Sequence, residues 1–337
     1  MYAAALLPLL AILASATPVK RWSYEKYYDL QAHRGGRGET IENTLPSFAQ
    51  GLLNGVTTLE LDCGITKDGH AVVWHDENID PTKCKDTGAV FDNDPMFPYV
   101  GKYIANLTLA QVQSLDCGSL RLDGFPLQEI VPKTRLATLP ELFDFVKCAT
   151  DEPVLITHQS FDWRALIKSK EVYPELRTSA LCADSTLYKG GGNLTSHQRG
   201  PSGMVAGIDV DSFPGDTVCE RVVRAAHSFG ADYISPTETA AASAAGALDP
   251  SMDGWISFVS KEMVDTAHEL GMGVKPWTAN RKNTFDYLID LGVDGVITDF
   301  PHEFRRHLEH LGGYDLAPLA DPSRVAKCLA KHNQLTS

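Results

Sequence analysis

The sequence predicts an α/β protein of barrel type, and three observations carry that expectation. Short apolar strands alternate with amphipathic helices along the chain, as in repeated strand-helix units around a parallel sheet. The 337 residues, 43% of them hydrophobic, are ample for one large core, and an α/β barrel commonly reaches ~250 residues as a single domain. Chemistry-bearing side chains also fall where apolar strands end, the edge that holds the site in parallel α/β proteins.

Strands are expected near residues 29–33, 57–63, 154–158, 178–182, 206–210, 231–235, 272–277 and 294–298, with 71–75 an appended excursion. The first, Asp29-Leu30-Gln31-Ala32, delivers His33, and Asn43-Thr44 then starts a helix over Leu45 to Leu53. In the second, successive side chains alternate faces, so Glu60 and Asp62 point one way while Leu59, Leu61 and Cys63 point the other. Ala71-Val72-Val73-Trp74 delivers His75. A helix over Leu139 to Lys147 leads to Val154-Leu155-Ile156-Thr157-His158. The weakest strand is Ala206-Gly207-Ile208-Asp209-Val210, and Thr237 to Gly254, rich in Ala and Gly, reads as an exposed loop and small-residue helix. Lys261 to Leu270 is an amphipathic helix stopped by Gly271.

Residues 1–21 are set apart from the fold. Ala3 to Leu13 is an apolar run too short to span a bilayer, Ala14-Ser15-Ala16 resembles a leader cleavage site, and Lys20-Arg21 offers a dibasic processing site. The expected organisation is a secretory leader at 1–21, a barrel domain at 22–313 and a peripheral tail at 314–337, with no transmembrane segment. An exported compartment suits the seven cysteines, which form at most three internal pairs, and the acceptor sequons at Asn106 and Asn193. Cys84 and Cys117, which flank a long polar segment, are the favoured pair and would clamp a loop over the site. The net charge of −13 becomes −15 without Lys20 and Arg21, so the chain will not seek nucleic acid or an anionic bilayer. Oligomeric state is left open.

His33-Arg34-Gly35 and His75-Asp76 bracket Glu60-Leu61-Asp62. Taken singly, a Glu-x-Asp at a strand end is commonly a solvated edge and a lone histidine a hydrogen-bonded core residue. Together the groups suit metal-assisted phosphodiester cleavage. Two adjacent carboxylates favour a hard divalent cation, and two imidazoles with ordinary pKa values near ~6.5 can exchange protons with nucleophile and leaving group.

These residues, with Glu42-Asn43-Thr44-Leu45-Pro46-Ser47-Phe48, Gly55, Thr66-Lys67-Asp68-Gly69 and Val73-Trp74-His75-Asp76, resemble the amino-terminal signature of the glycerophosphodiester phosphodiesterases. Gly273-Val274-Lys275-Pro276-Trp277-Thr278-Ala279-Asn280 is similar to that family's seventh strand, and Gly292 to Pro301 to its eighth. The resemblance implies a TIM (β/α)8 barrel that hydrolyses a small-molecule phosphodiester to an alcohol and glycerol phosphate. It implies that Glu60 and Asp62 bind one divalent cation, Mg²⁺ or Ca²⁺. His33 and His75 would be general acid and base, Arg34 would hold the phosphate, and Trp277 would wall the glycerol pocket.

One part of the family pattern is missing. The family's third strand carries a further metal carboxylate and a lysine in a Glu-x-Lys element. Here the helix ending near Lys147 passes instead to Gln159-Ser160-Phe161-Asp162, which is similar to the fourth strand. The expected barrel lacks its third strand and following helix, with a breach beside strand 57–63 and a metal site one carboxylate short. A second alignment makes Val154-Leu155-Ile156 the third strand, with Thr157 and Gln159 in place of glutamate and lysine. Alternative functions are a sphingomyelinase D-like phospholipase, with Pro95 to Tyr103 as its apolar rim, or a catalytically impaired relic or incomplete gene model.

Overall fold

The computed structural model describes residues 26–154, 156–189 and 200–332. The leader at 1–21 and the sequon at Asn193 lie outside the described residues. Strand β1 (Asp29–Ala32) pairs in parallel with β2 (Thr58–Leu59) and, on its other side, with the last strand. Between β1 and β2 lies α1 (Leu45–Leu53), where Thr44 caps the first turn by accepting from Ser47 N–H and Pro46 sits in that turn. Its buried Leu45, Phe48, Ala49 and Leu52 join the main core.

After β2 the chain makes an antiparallel hairpin, β3 (Cys63–Ile65) with β4 (Ala71–Val73), then a long excursion containing α2 (Leu109–Gln113). This excursion buries its own cluster, Val72, Trp74, Ile79, Tyr99, Ile104, Leu107, Val112, Leu115 and Leu136, around the expected Cys84–Cys117 disulfide. The chain returns through α3 (Leu139–Ala149), capped by the reciprocal Thr138 and Glu141 pair.

Repeated strand-helix units follow: β5 (Thr157–Ser160), α4 (Trp163–Val172), β6 (Arg177–Cys182), α5 (Asp184–Leu187), α6 (Val218–His227), β7 (Tyr233–Pro236), α7 (Lys261–Glu269), β8 (Gly273–Val274), α8 (Lys282–Leu291), β9 (Gly295–Thr298) and α9 (Pro301–Leu311). β5, β6, β7 and β8 form one parallel sheet in that order. Backbone bonds from Asp294 N–H to Val274 O and from Ile297 N–H to Pro276 O carry the array from β8 to β9, and β9 pairs with β1. Among the described residues the result is an α/β barrel of seven parallel strands, β5 through β9 and then β1 and β2. Among the described residues no backbone hydrogen bond joins β2 to β5, so the ring has a seam between them, where the sequence predicts a breach. Ile156, at the entrance to β5, is 59% exposed, as an edge left without its neighbour would be.

Residues 206–210 are not a strand, contrary to the expectation from their apolar alternation. Ala206 (φ 57°) and Gly207 (φ 76°) both take left-handed backbone, which turns the chain, and a 3₁₀ turn at Val210–Ser212 follows. No helix forms within 237–254 either.

Inside the barrel, Lys275 and Asp29 form a fully buried ion pair at 2.7 Å, and the Lys275 ammonium lies 3.6 Å from the centre of the Tyr233 ring. Burial works against the Asp29 charge, but Lys275 and the Thr57 and Thr58 hydroxyls overcome it and hold the carboxyl below its ordinary pKa.

The last helix, α10 (Pro322–His332), packs on α1 and α3. It is fixed by a disulfide between Cys148 and Cys328, by Arg324 on Asp151, and by Arg324 Nε donating to Cys148 O at 2.6 Å. The bridge closes a sequence separation of 180 residues. Replacing both cysteines by serine is expected to cost about 2–4 kcal/mol and to raise hydrogen exchange in α10 first. Unchanged exchange in α10 would show that packing alone fixes it.

Candidate active site

The site assembles at the carboxyl ends of β1, β2, β5 and β9. β1 ends in a 3₁₀ turn, His33–Gly35, in which Arg34 adopts φ 51° and Gly35 φ 86°. A Cβ on Gly35 would lie 2.3 Å from the Ser47 hydroxyl, so the turn packs directly on α1. This turn points the Arg34 N–H at Glu60 Oε2, 2.8 Å away, and brings the Arg34 guanidinium between Glu42 (3.0 Å) and Asp62 (3.3 Å).

β2 is shorter than expected, ending at Leu59; Glu60 N–H still donates to Ala32 O at 3.0 Å, and Asp62 stands two residues further on. They still converge on Arg34. Leu59 and Leu61 turn into the core, while Cys63 is exposed rather than turned inward with them. Glu60 is buried, and burial, opposed by the charge of His33 and reinforced by that of Asp62, pushes its carboxyl up to about 6. Its other oxygen accepts from Gln159 Nε2 at 2.7 Å, across the seam.

His33 Nδ1 is bonded to Asp299 Oδ1 at 2.5 Å, and its Nε2 lies 3.9 Å from Glu60 Oε2. Asp299 is oriented in turn by Asn280, whose Nδ2 donates to Oδ2 at 2.7 Å. Burial alone would lower the His33 pKa, but the Asp299 bond and the Glu60 and Asp299 charges hold it above its usual value. The sequence reading assigned no role to Asp299. It lies 266 residues from His33, and only the closure of β9 onto β1 brings the two together.

His75 follows β4 rather than a barrel strand, and its Nδ1 bonds Asp76 at 2.7 Å. Trp74 N–H, one residue before it, donates to Asp62 O at 3.0 Å, while the side-chain link to Arg34 is indirect. Lys83 donates to Asp76 Oδ2 (2.6 Å) and to Glu42 Oε1 (2.8 Å), and Glu42 holds Arg34. Lys83 adjoins Cys84, so the disulfide anchors the segment that carries this cation. Glu42 and Lys83 are further site residues to which no role was assigned from sequence.

Trp277 is half-buried at the end of β8, with Nε1 donating to Ser235 O at 2.9 Å and the ring edge-on to Phe161 at 5.3 Å. Beside it Glu238 donates its N–H to Trp277 O at 2.8 Å, and burial pushes its carboxyl up to about 7. Neither Trp277 nor Glu238 touches the His33 cluster through a hydrogen bond. Glu238 was not singled out from the sequence; its position just past β7 is the one signal that could have found it.

The donor set fits a hard cation in part. Two carboxylates stand together, and beside them Asn43, fully buried, donates weakly to Asp62 (3.5 Å) while its Oδ1 is buried without a hydrogen-bond partner. Among the described residues no group of three or more His, Cys, Asp or Glu side chains is arranged to hold a metal.

The apolar rim expected at 95–103 is only partly one. Phe97 and Tyr103 are exposed, but Tyr99 is fully buried with its hydroxyl on Asp94. A second exposed apolar stretch is the segment around Leu127, which is 86% exposed. Gln128 Nε2 donates to Arg37 O at 2.7 Å, Phe125 packs on Phe300, and Arg37 lies over the Phe125 ring, so the segment sits beside the His33 turn and Asp299.

The glycerophosphoryl diester phosphodiesterase family profile matches residues 33–303. A glycerophosphodiester phosphodiesterase of Caldanaerobacter subterraneus is 27% identical over 276 residues, covering 80% of this chain and 93% of that protein. A lysophospholipase D of Homo sapiens is 24% identical over 293 residues, covering 84% of this chain and 86% of the relative. The crystal structure of a candidate glycerophosphoryl diester phosphodiesterase from Silicibacter pomeroyi superposes with a TM-score of 0.62 at 25% identity, covering 85% of this chain and 94% of that one.

Proposed function

The chain belongs to the glycerophosphoryl diester phosphodiesterase family, and on that premise we propose that it is a secreted, cation-dependent hydrolase of glycerophosphodiesters. It is a phosphoric diester hydrolase, releasing an alcohol and glycerol phosphate. The observation that carries the finer reading is the convergence of Glu60 and Asp62 on Arg34 beside His33. Glu60, Asp62 and the orphaned Asn43 Oδ1 would hold one Mg²⁺ or Ca²⁺, which would neutralise the carboxylates and polarise a phosphoryl oxygen.

The protein's own side chains do the rest. Arg34, fixed between Glu42 and Asp62, presents a rigid positive fork to the phosphate. His33 and His75 supply general acid and base. Asp299 sets the tautomer of His33 by occupying Nδ1, which turns Nε2 toward the reacting centre. Trp277 offers an apolar wall to the glycerol carbons. Two disulfides support an exported enzyme, and among the described residues no helix is long and apolar enough to cross a membrane.

Choline release from glycerophosphocholine, with and without EDTA, tests this directly. Turnover that EDTA abolishes and Mg²⁺ or Ca²⁺ restores is expected. No release under any metal condition would favour the impaired relic, and release unaffected by EDTA would remove the cation.

The exposed Leu127 favours a second reading, a phospholipase D acting on a single-chain lipid such as lysophosphatidylcholine. Leu127→Asp is then expected to lower choline release from lysophosphatidylcholine about tenfold, as for ~1–2 kcal/mol of lost apolar contact, while sparing glycerophosphocholine. Equal rates on the lipid for variant and wild type would dismiss it. Sphingomyelin in the same assay discriminates the sphingomyelinase D-like alternative.

A further inference from the structure

We propose that Gln159 is the positioning residue that stands in for the missing strand: its amide spans the seam, fixes Glu60 and completes the cation site with a neutral member. The inference rests on the cation reading above and concerns how the site survives the loss of a strand.

Alternation along β5 puts Thr157 and Gln159 on one face and His158 on the other. His158 bonds Ser169 on α4 at 2.8 Å, so its face looks outward to the helices and the Gln159 face looks into the barrel. On that inner face the Thr157 hydroxyl is buried without a partner, and Gln159 Nε2 reaches Glu60 Oε1 at 2.7 Å. No backbone hydrogen bond crosses between β2 and β5 among the described residues. The side-chain bond therefore does what a strand ladder does elsewhere in the ring: it fixes the end of β2 relative to the next strand.

Its chemical consequence lies in how Glu60 is held. One carboxylate oxygen is taken by the Arg34 N–H and the other by the Gln159 amide, leaving each with a free lone pair, so the group is locked in rotation yet able to ligate. With its nitrogen committed to Glu60, Gln159 keeps its Oε1, a neutral oxygen of the type hard cations accept. The site then carries two negative charges rather than three, and cation affinity tracks ligand charge.

Calorimetric titration of the full chain with Ca²⁺ or Mg²⁺ alone, alongside thermal unfolding in EDTA and in excess cation, tests this without reference to turnover. Gln159→Glu returns a carboxylate opposite Glu60. It is expected to lower the unfolding temperature in EDTA through like-charge repulsion, and to bind the cation at least about tenfold tighter than wild type. Gln159→Leu is expected to bind about 10–100-fold weaker, the usual cost of losing a partner that orients a ligand. If both variants fold and bind within twofold of wild type, while Asp62→Ala loses the cation, Gln159 has no part in the site although the cation reading stands. If Asp62→Ala binds as wild type does, the cation reading falls and this proposal with it.

Discussion

Asp62→Ala is expected to abolish divalent-cation binding and to reduce phosphodiesterase activity by at least about 10³-fold, since a bound cation supplies several kcal/mol of transition-state stabilisation. Asp62 is a cleaner probe than Glu60. The Glu60 carboxylate is buried and tied to both Arg34 and Gln159, so its removal strips two donors of their acceptor and would cost folding stability as well. The Asp62 side chain keeps 31% of its surface exposed and, among the described residues, makes the 3.3 Å pair with Arg34 and the long contact from Asn43. Arg34 also retains Glu42, so the guanidinium stays partnered and the unfolding temperature is expected to move little. Loss of turnover with loss of calorimetric binding and an intact thermal transition is the expected pattern. Wild-type turnover of the variant in EDTA would sink the cation assignment.

What the sequence revealed of this site follows the range of the interactions. His33, Arg34, Glu60 and Asp62 lie in short motifs at strand ends, where alternation and strand polarity alone suggest a shared edge. Their convergence on Arg34 is consistent with that suggestion. The seam was expected because the run from α3 into Gln159-Ser160-Phe161 contains no Glu-x-Lys strand, and among the described residues no backbone hydrogen bond joins β2 to β5. Asp299 carried no visible role, because its bond to His33 depends on ring closure rather than on local pattern. His75 follows an antiparallel hairpin rather than a barrel strand; the backbone bond from Trp74 N–H to Asp62 O ties that hairpin to the acidic pair, and its side-chain link to Arg34 runs through Asp76, Lys83 and Glu42. The mistaken strand at 206–210 shows the reverse failure. Its buried Val210 and partly buried Ile208 satisfy the core from a turn, and alternation cannot distinguish that from a strand. Cys148 and Cys328 lie 180 residues apart, beyond the reach of spacing arguments.

His33→Ala is expected to lower kcat by about 10²–10⁴-fold with the fold intact, the usual cost of a lost general acid or base. Its role can be separated from simple positioning by the pH profile of an Asp299→Asn variant. Burial pulls the His33 pKa down, and the Asp299 hydrogen bond with the Glu60 and Asp299 charges more than offsets it. A cation at Glu60 would cancel that carboxylate's share, leaving Asp299 as the partner that keeps the imidazolium in place. The sign follows from this. A group whose pKa is raised in the folded enzyme stays protonated to higher pH, and removing the partner that raises it moves its ionisation toward acid. Asp299→Asn is therefore expected to shift the His33-dependent limb of the kcat profile to lower pH, whichever direction that limb slopes. The slope then assigns the role: activity that falls as pH rises through the limb marks His33 as the acid, and activity that rises marks it as the base. An unshifted limb, or a His33→Ala variant with parent-like turnover, would remove His33 from the proton transfer and leave it as a residue that only packs between Glu60 and Asp299.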